Sequence, residues 1–469
     1  MALSRDLMIE KMMLSDSSFN GRFITGVLTT KIYCLPSCTA RKPKPENVQF
    51  FKSSAEAEAA GLRACKLCKP DLYEKGIDPE LDRLEEVADK IRKDPGLFPS
   101  VDSVADAVCV SVSTLHQQFR DHYQTSPGTF LNRARIDAAC RALLETGIDA
   151  GQVAYSVGFD STSGFYESFR KMTGMTPVAY RELPRKNAFR VALPTEYPVT
   201  ELLKVLNRDP EGVSDRLVDN LYEVGFTHQD SANILKMRIE NDAVHCEVDG
   251  DDTLAAHKVA LRILNLRQDP ITFERQASDM GFTRLFEGRH GLRIAQTPTV
   301  FDGVIWVILG QQVNFKFAAT MRRRLTELAG TRKGDLICTP DAAQVARLDE
   351  ADLLKIQFSR QKADYLLNIS RQNVDGKLDL ESLLTQSATR VSRTLLGIRG
   401  FGVWSTNYLM MRTFGFADCV PLGDTGISSG LKNLLALDHR PKADEVAALM
   451  KPFTPYRSLA SYHLWRGFS

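Results

Sequence analysis

The chain has 469 residues, 43% of them hydrophobic and 25% charged, with a formal net charge of +2. That length exceeds what one core supports and predicts roughly three or four domains. The charge balance is too mild for a molecule that binds polyanions over its whole surface, so any nucleic-acid footprint has to be local. No apolar run approaches the ~20 residues of a membrane span. The opening MALSRDLMIEKMML lacks a long apolar centre and a small-residue cleavage site, so a cytoplasmic protein without membrane contacts is expected.

Nine cysteines, an odd number, point to metal ligation and free thiols in a reducing compartment rather than a disulfide frame. The stretch IYCLPSCTARKPKPENVQFFKSSAEAEAAGLRACKLCKP, residues 32–70, carries Cys34, Cys38, Cys65 and Cys68. Two close pairs separated by a short stretch of chain have the spacing of a zinc knuckle, and Zn²⁺ accepts four thiolates. Lys31, Ser37, Arg41, Lys42 and Lys44 crowd the first pair, which suits a phosphate surface. A metal-held thiol stays deprotonated, so a ligand could itself be a nucleophile. The plainer alternative is a structural zinc in a domain that only tethers the rest to DNA.

FNGRF at 19–23, TTKIYCLPSCTARKPKPENVQFF and AAGLRACKLCKPD resemble the N-terminal domain of the bacterial adaptive-response regulator of alkylation damage, over about residues 10–75. The resemblance implies that Cys34 accepts a methyl group irreversibly from a methyl phosphotriester in the DNA backbone, with Cys38, Cys65 and Cys68 completing the zinc shell. Among the basic residues beside the first pair, Arg41 and Lys42 are the candidate phosphate contacts. Methylation would turn an anionic thiolate into a neutral thioether and raise DNA affinity.

From about residue 80 the pattern becomes helical, PELDRLEEVADKIRKDPG first. STLHQQFRDHYQTSPGTF (113–130) and SGFYESFRKMTGMTPVAY (163–180) then superpose at an offset of 50 residues, matching Ser113 with Ser163, Phe119 with Phe169 and Arg120 with Arg170. Two helix-turn-helix units joined by a long helix, PGTFLNRARIDAACRALLETG, are predicted. A duplicated packing unit without DNA contacts would give the same repeat. VAYSVGFDSTSGFYESFRKMTGMTPVAYR also resembles the DNA-binding domain of AraC-type regulators. That likeness implies promoter DNA and RNA polymerase as partners. Ser113, Thr114, Gln117, Gln118, Ser163, Gly164, Glu167 and Ser168 become groove-facing candidates, with Arg120, Arg170 and Lys171 on phosphates.

ELPRKNAFRVALPTEYPVT reads as a linker around residues 182–192, and AVHCEVDG beyond it as part of a short antiparallel sheet. TPTVFDGVIWVILGQQVNFKFAATMRRRL, residues 297–325, reads as an apolar helix carrying Gln311 and Gln312, whose amides are either satisfied polar groups or contacts to a base. In LLGIRGFGVWSTNYLMMRTFGFADCVPLGDTGI, residues 395–427, Gly400 and Gly402 form a tight turn that lets backbone amides approach a phosphate at a helix N-terminus.

With Asp424 placed 22 residues after Gly402 and KPFTPYRSLASYHLW at the end, residues 188–469 resemble the helix-hairpin-helix glycosylases, above all the bacterial 3-methyladenine glycosylase II. The resemblance implies duplex DNA with alkylated bases as substrate and base extrusion into a pocket walled by Trp404, Tyr408 and Trp465, with Gln311 beside it. It gives Asp424 the stabilisation of an oxocarbenium-like sugar or the orientation of water. Each aromatic is equally compatible with plain core, and Asp424 with a helix cap. Relatives that also cut the strand carry a lysine where Trp404 stands, so a monofunctional enzyme follows. Cys419 is the only cysteine after Cys338, which excludes a four-cysteine iron–sulfur loop. Ile398-Arg399 replaces the usual Leu-Pro and Gly423 replaces a second acid. No PCHR-like motif is present, so the regulator's O6-alkylguanine methyltransferase is missing.

The expected architecture is multidomain and α+β. It comprises a small zinc-bound α/β lobe (1–78), an all-α double helix-turn-helix domain (79–184), an antiparallel β-sheet subdomain (188–290) and a helix-hairpin-helix glycosylase domain (291–469). The competing reading is a methylation-activated regulator whose glycosylase half is a catalytically idle DNA clamp.

Overall fold

The computed structural model describes residues 3–16, 19–145 and 147–468. The chain divides into two compact units, Met1–Glu86 and Val87–Ser469. In the first, four strands, β1 (Ile24–Val27), β2 (Ile32–Cys34), β3 (Val48–Phe51) and β4 (Arg63–Ala64), form a sheet in the order β3-β1-β2-β4. β1 is antiparallel to β2 and β3, whereas β2 is parallel to β4. That parallel pairing sets Tyr33 opposite Ala64, so the next residues, Cys34 and Cys65, leave the sheet as neighbours. The apolar core beneath is small, built on Ile24, Tyr33, Leu35, Phe51, Ala57 and Leu62. A core of that size needs a further staple.

The second unit opens with the paired helix-turn-helix. Helices Val101–Val108 and Val112–Tyr123 form one member, Ala150–Ser156 and Thr162–Thr173 the other, and Pro127–Glu145 joins them. The repeat extends to the caps. Ser111 and Ser161 accept hydrogen bonds from the Thr114 and Gly164 amides, and Gln124 (φ 53°) and Gly174 (φ 69°) end the two recognition helices in left-handed conformation. Phe119 and Phe169 are fully buried.

The expected linker is not a linker. Residues Ala188–Ala192 form β5, an edge strand of a five-stranded antiparallel sheet in the order β5-β9-β8-β7-β6, with β6 Asp215–Val218, β7 Leu221–His228, β8 Ser231–Ile239 and β9 Ala243–Asp249. Its prolines flank the strand instead of interrupting it, and the alternation of Phe189 and Val191 buries one face. A single hydrophobic core continues from Ile136, Phe169 and Tyr180 through Phe189 and Val191 to Leu235 and Val259, so no core boundary falls at 184–188. The 290–291 boundary is crossed too: the ribbon Thr331–Lys333/Leu336–Cys338 returns to the sheet through a bridge between Phe226 and Thr339.

The remaining helices pack around Val300–Gly310, whose residues Val304, Ile305, Val307 and Ile308 are fully buried. A buried guanidinium ties them to the sheet: Arg322 donates to Asp302 at 2.9 Å, Asp215 at 3.1 Å, Ser214 at 2.9 Å and Thr339 at 3.1 Å. Among the described residues no helix is long and apolar enough to cross a membrane.

Candidate reaction centres and DNA-reading surfaces

The turn after β2 and the turn after β4 bring the Sγ atoms of Cys34, Cys38, Cys65 and Cys68 within 4.8 Å of one another. Backbone bonds fix the pair of turns: Cys65 N donates to Tyr33 O at 2.9 Å, and Cys38 N to Leu35 O at 3.1 Å. The Leu35 amide also donates to Cys68 Sγ at 3.3 Å. Four convergent sulfurs at this spacing fit tetrahedral Zn²⁺, which when bound holds its ligands as thiolates. Cys38 and Cys65 are buried, Cys34 and Cys68 half-buried.

Arg41 is exposed, as a phosphate contact requires. Lys42 is not free: its Nζ donates to the Cys38 carbonyl at 2.7 Å, and burial lowers its pKa. It braces the knuckle and contributes positive charge beside the thiols.

Ser113, Thr114, Gln117, Arg120, Ser163, Arg170 and Lys171 all lie on exposed positions of the two recognition helices. Two of them are engaged within their helix. The Gln117 amide donates to both carboxylate oxygens of Asp121 at 2.9 Å, and the Thr114 hydroxyl lies 2.8 Å from that of Ser111. The end of the first recognition helix is seated on the C-terminal helices: His122 Nδ1 lies 2.9 Å from Thr389 Oγ1, and Gln124 Oε1 accepts from the Asp418 amide at 2.7 Å.

In the C-terminal half, helix Ala388–Leu396, the turn at 397–402 and helix Val403–Arg412 form the hairpin. The two glycines differ. Gly400 has φ +94° and an added Cβ would meet the Tyr365 ring at 2.4 Å, whereas nothing lies within 4 Å of a Cβ on Gly402. Gly400 answers a packing constraint, and Gly402 leaves space open at a helix N-terminus. Ile398 and Phe401, which stand in the turn, are buried. Gln311 lies against the hairpin: its Nε2 donates to Gly400 O at 2.9 Å and to Ser405 Oγ at 3.1 Å. Both its N–H groups are committed there, so it holds the turn; the expected contact to a base is left to its carbonyl alone.

Asp424 is the N-cap of helix Thr425–Leu435 and accepts from Ile427 N at 3.0 Å. The same oxygen accepts from Trp465 Nε1 at 2.8 Å, and the other from Trp404 Nε1 at 3.1 Å. The cap and the aromatic contacts therefore coexist on one carboxylate. Trp404 stacks on Tyr408 with centroids 5.2 Å apart, and Tyr408 lies 5.8 Å from Trp465. Three half-buried rings and a carboxylate thus converge on one place, with two indole N–H groups fixing the carboxylate's orientation. Tyr365 and Lys362 were not anticipated. Lys362 Nζ donates to Leu309 O at 2.5 Å at the end of the apolar helix, and burial lowers its pKa to about 8. Neither position repeats a spacing that sequence periodicity could expose.

The fold and sites define a DNA-binding repair protein with a zinc lobe, a paired helix-turn-helix and a base-excision domain. Three family models match in chain order: the metal binding domain of Ada at residues 8–71, a helix-turn-helix domain at 104–183, and the HhH-GPD superfamily base excision DNA repair proteins at 305–455. The chain belongs to the family of bifunctional transcriptional activator/DNA repair enzymes. It is 33% identical over 172 residues to AdaA of Bacillus subtilis, which bears that description, covering 36% of this chain and 80% of that one. Across nearly the whole length it is 28% identical to the "Probable bifunctional transcriptional activator/DNA repair enzyme AlkA" of Mycobacterium tuberculosis, covering 96% of this chain and 94% of that protein. The 3-methyladenine DNA-glycosylase of Archaeoglobus fulgidus shares the fold of the C-terminal part, with a TM-score of 0.53 at 18% identity over 59% of this chain and 97% of that one.

Proposed function

We propose that the C-terminal half is a monofunctional glycosylase that hydrolyses the N-glycosidic bond of alkylated bases of the 3-methyladenine type in duplex DNA. The observation that carries this reading is the Asp424 carboxylate, held by two indole N–H groups and a helix amide beside the stacked Trp404 and Tyr408. An extruded base stacks on the rings. As the C1′–N bond breaks, its electron pair leaves with the base and positive charge grows on the sugar, where the fixed carboxylate stabilises it without reorganising. Water then adds to C1′ and passes its proton to the Asp424 carboxylate and on to solvent. The Gly402 amide end of helix Val403–Arg412 anchors a backbone phosphate meanwhile. Release of free base from alkylated duplex by wild type but about 10²–10³-fold less by Asp424→Asn is expected. Release by neither protein favours the idle clamp.

The N-terminal lobe supports a second activity, carried by the half-buried Cys34 among four convergent sulfurs. Cys34 Sγ forms a bond to the methyl carbon of a methyl phosphotriester as the O–CH₃ bond breaks, and the phosphate regains its negative charge. The lobe loses one negative charge, which tightens its hold on DNA. The helix-turn-helix then reads promoter DNA and presents the complex to RNA polymerase, in a cytoplasmic, nucleoid-associated protein. Mass spectrometry of Cys34 after exposure to methylated DNA tests this: an unmodified cysteine with intact metal leaves the zinc purely structural.

A further inference from the structure

The two recognition helices end at equivalent positions of the repeat, and both ends are fastened to the C-terminal half. In the second unit Gly174 O accepts from the Ala192 amide of β5 at 2.8 Å, and glycine suits the left-handed cap there because an added Cβ would meet Val191. The same cap 50 residues earlier is Gln124, held at φ 53° without glycine's freedom from strain. Its side chain does what a glycine could not: Oε1 accepts from the Asp418 amide at 2.7 Å and lies 3.8 Å from the buried Cys419 Sγ.

Asp418 opens the segment that ends at Asp424. Each of its carboxylate oxygens accepts from Arg457 at 2.7 Å, the Cys419 amide donates to Ser458 Oγ at 2.9 Å, and the Val420 amide donates to Asn407 Oδ1 at 3.3 Å. Arg457 and Ser458 begin the helix that carries Trp465, and Asn407 lies on the helix of Trp404 and Tyr408. Of these anchors, Gln124 alone comes from outside the glycosylase half. We propose, on the basis of the glycosylase reading, that Gln124 is a positioning residue for base excision: the acceptor it supplies to the Asp418 amide makes the paired helix-turn-helix a working part of the Asp424 centre. Without that acceptor the half-buried amide must turn toward water. Cys419 and Val420 are buried and leave no slack, so the displacement passes along the segment to a carboxylate that has to be fixed before charge develops on the sugar.

The test follows single-turnover release of free base from methylated duplex DNA by the full chain at increasing enzyme concentration, with thermal melts in parallel. Gln124→Gly removes the acceptor but gives the left-handed cap its preferred residue, so its melting temperature should stay near that of wild type. Its release rate at saturating enzyme should fall about fivefold, the contribution of one hydrogen bond, with the half-saturating concentration unchanged. Gln124→Glu keeps an acceptor oxygen at the same reach and should hold the rate within about twofold of wild type. A wild-type rate in Gln124→Gly overturns the proposal. So does a change confined to the half-saturating concentration, which would make Gln124 part of the DNA grip, and so does a loss that follows the melting temperature or that Gln124→Glu shares, the mark of a docking contact alone. Release of no base by wild type overturns the glycosylase reading itself, and this proposal with it.

Discussion

The two proposed reaction centres hold their key side chains by different means. Cys34 stands in a cluster drawn from residues 34 to 68, over a core no larger than Ile24, Tyr33, Leu35, Phe51 and their neighbours. Asp424 is fixed by hydrogen bonds from Trp404, Ile427 and Trp465, side by side with an extensive helical core. The first geometry depends on a metal and the second on packing. A cysteine that accepts a methyl group is also spent by one turnover, whereas a carboxylate that stabilises charge and relays a proton is returned unchanged. A consumable centre tolerates a small, separately folding lobe; a recycling one benefits from rigidity.

The strongest way to break this comparison is to remove the metal. Structural zinc supplies roughly 10–16 kcal/mol to small domains. A chelator is therefore expected to expose residues 1–86 to proteolysis and end methyl uptake, with base release by the second unit unaltered. Limited proteolysis alongside a base-release assay reads both; simultaneous loss would show that packing does not sustain the Asp424 site alone.

Acid should act on the other unit. His257 and His463 are buried there, burial lowering their pKa values to about 4 and about 3, while residues 1–86 contain no histidine. Both must be neutral in the folded state. As pH falls below about 6.5 the unfolded chain takes up protons that the folded chain refuses, so stability present above that pH is lost progressively toward the folded values. Each histidine accounts for about 2 kcal/mol at pH 5. His463, stacked on Phe273 at 5.5 Å, has neither ring nitrogen hydrogen-bonded. Urea unfolding of His463→Phe should show about half the pH dependence of the second unit; an unchanged slope would place the acid sensitivity elsewhere.

Between these in locality is Trp404→Phe, which keeps the ring over Tyr408 and removes one donor to Asp424. A hydrogen bond to a charged group contributes about 1.5–3 kcal/mol, so base release should fall about 10- to 100-fold with little change in thermal stability. The same substitution should leave methyl uptake by Cys34 untouched. A rate within twofold of wild type would mean that the Ile427 amide and Trp465 suffice to orient the carboxylate.

What was legible beforehand follows from how far apart the partners lie. The cysteine knuckle, the 50-residue repeat and the glycine turn are written in local spacing, and each has the position expected of it. The Asp424 cluster needed the family resemblance as well, because Trp404, Tyr408 and Trp465 carry no spacing that separates a pocket wall from core. β5 was missed because five residues bracketed by prolines have the composition of a linker, and only the sheet partner β9 makes them a strand. The bonds of Lys42 to Cys38 O and of Gln311 to Gly400 O were not foreseen for a related reason: which acceptor a long polar side chain reaches is settled by tertiary packing.

The smallest predicted effect separates packing from contact within a single turn. Gly400→Ala places a methyl at a left-handed φ and 2.4 Å from Tyr365, so it should lower the melting temperature through about 1–2 kcal/mol of backbone strain, with the clash added. Gly402→Ala meets nothing within 4 Å and has φ −105°, extended backbone open to any residue. Its fold should be intact. The new methyl would stand where a phosphate approaches the amides of helix Val403–Arg412, and loss of one such contact weakens duplex binding by about 1 kcal/mol, several-fold in Kd. Thermal melts and fluorescence anisotropy on undamaged duplex should therefore rank the two variants in opposite order. If Gly402→Ala binds as wild type does, the hairpin is a packing element here, and the aromatic pocket must find its base without that anchor.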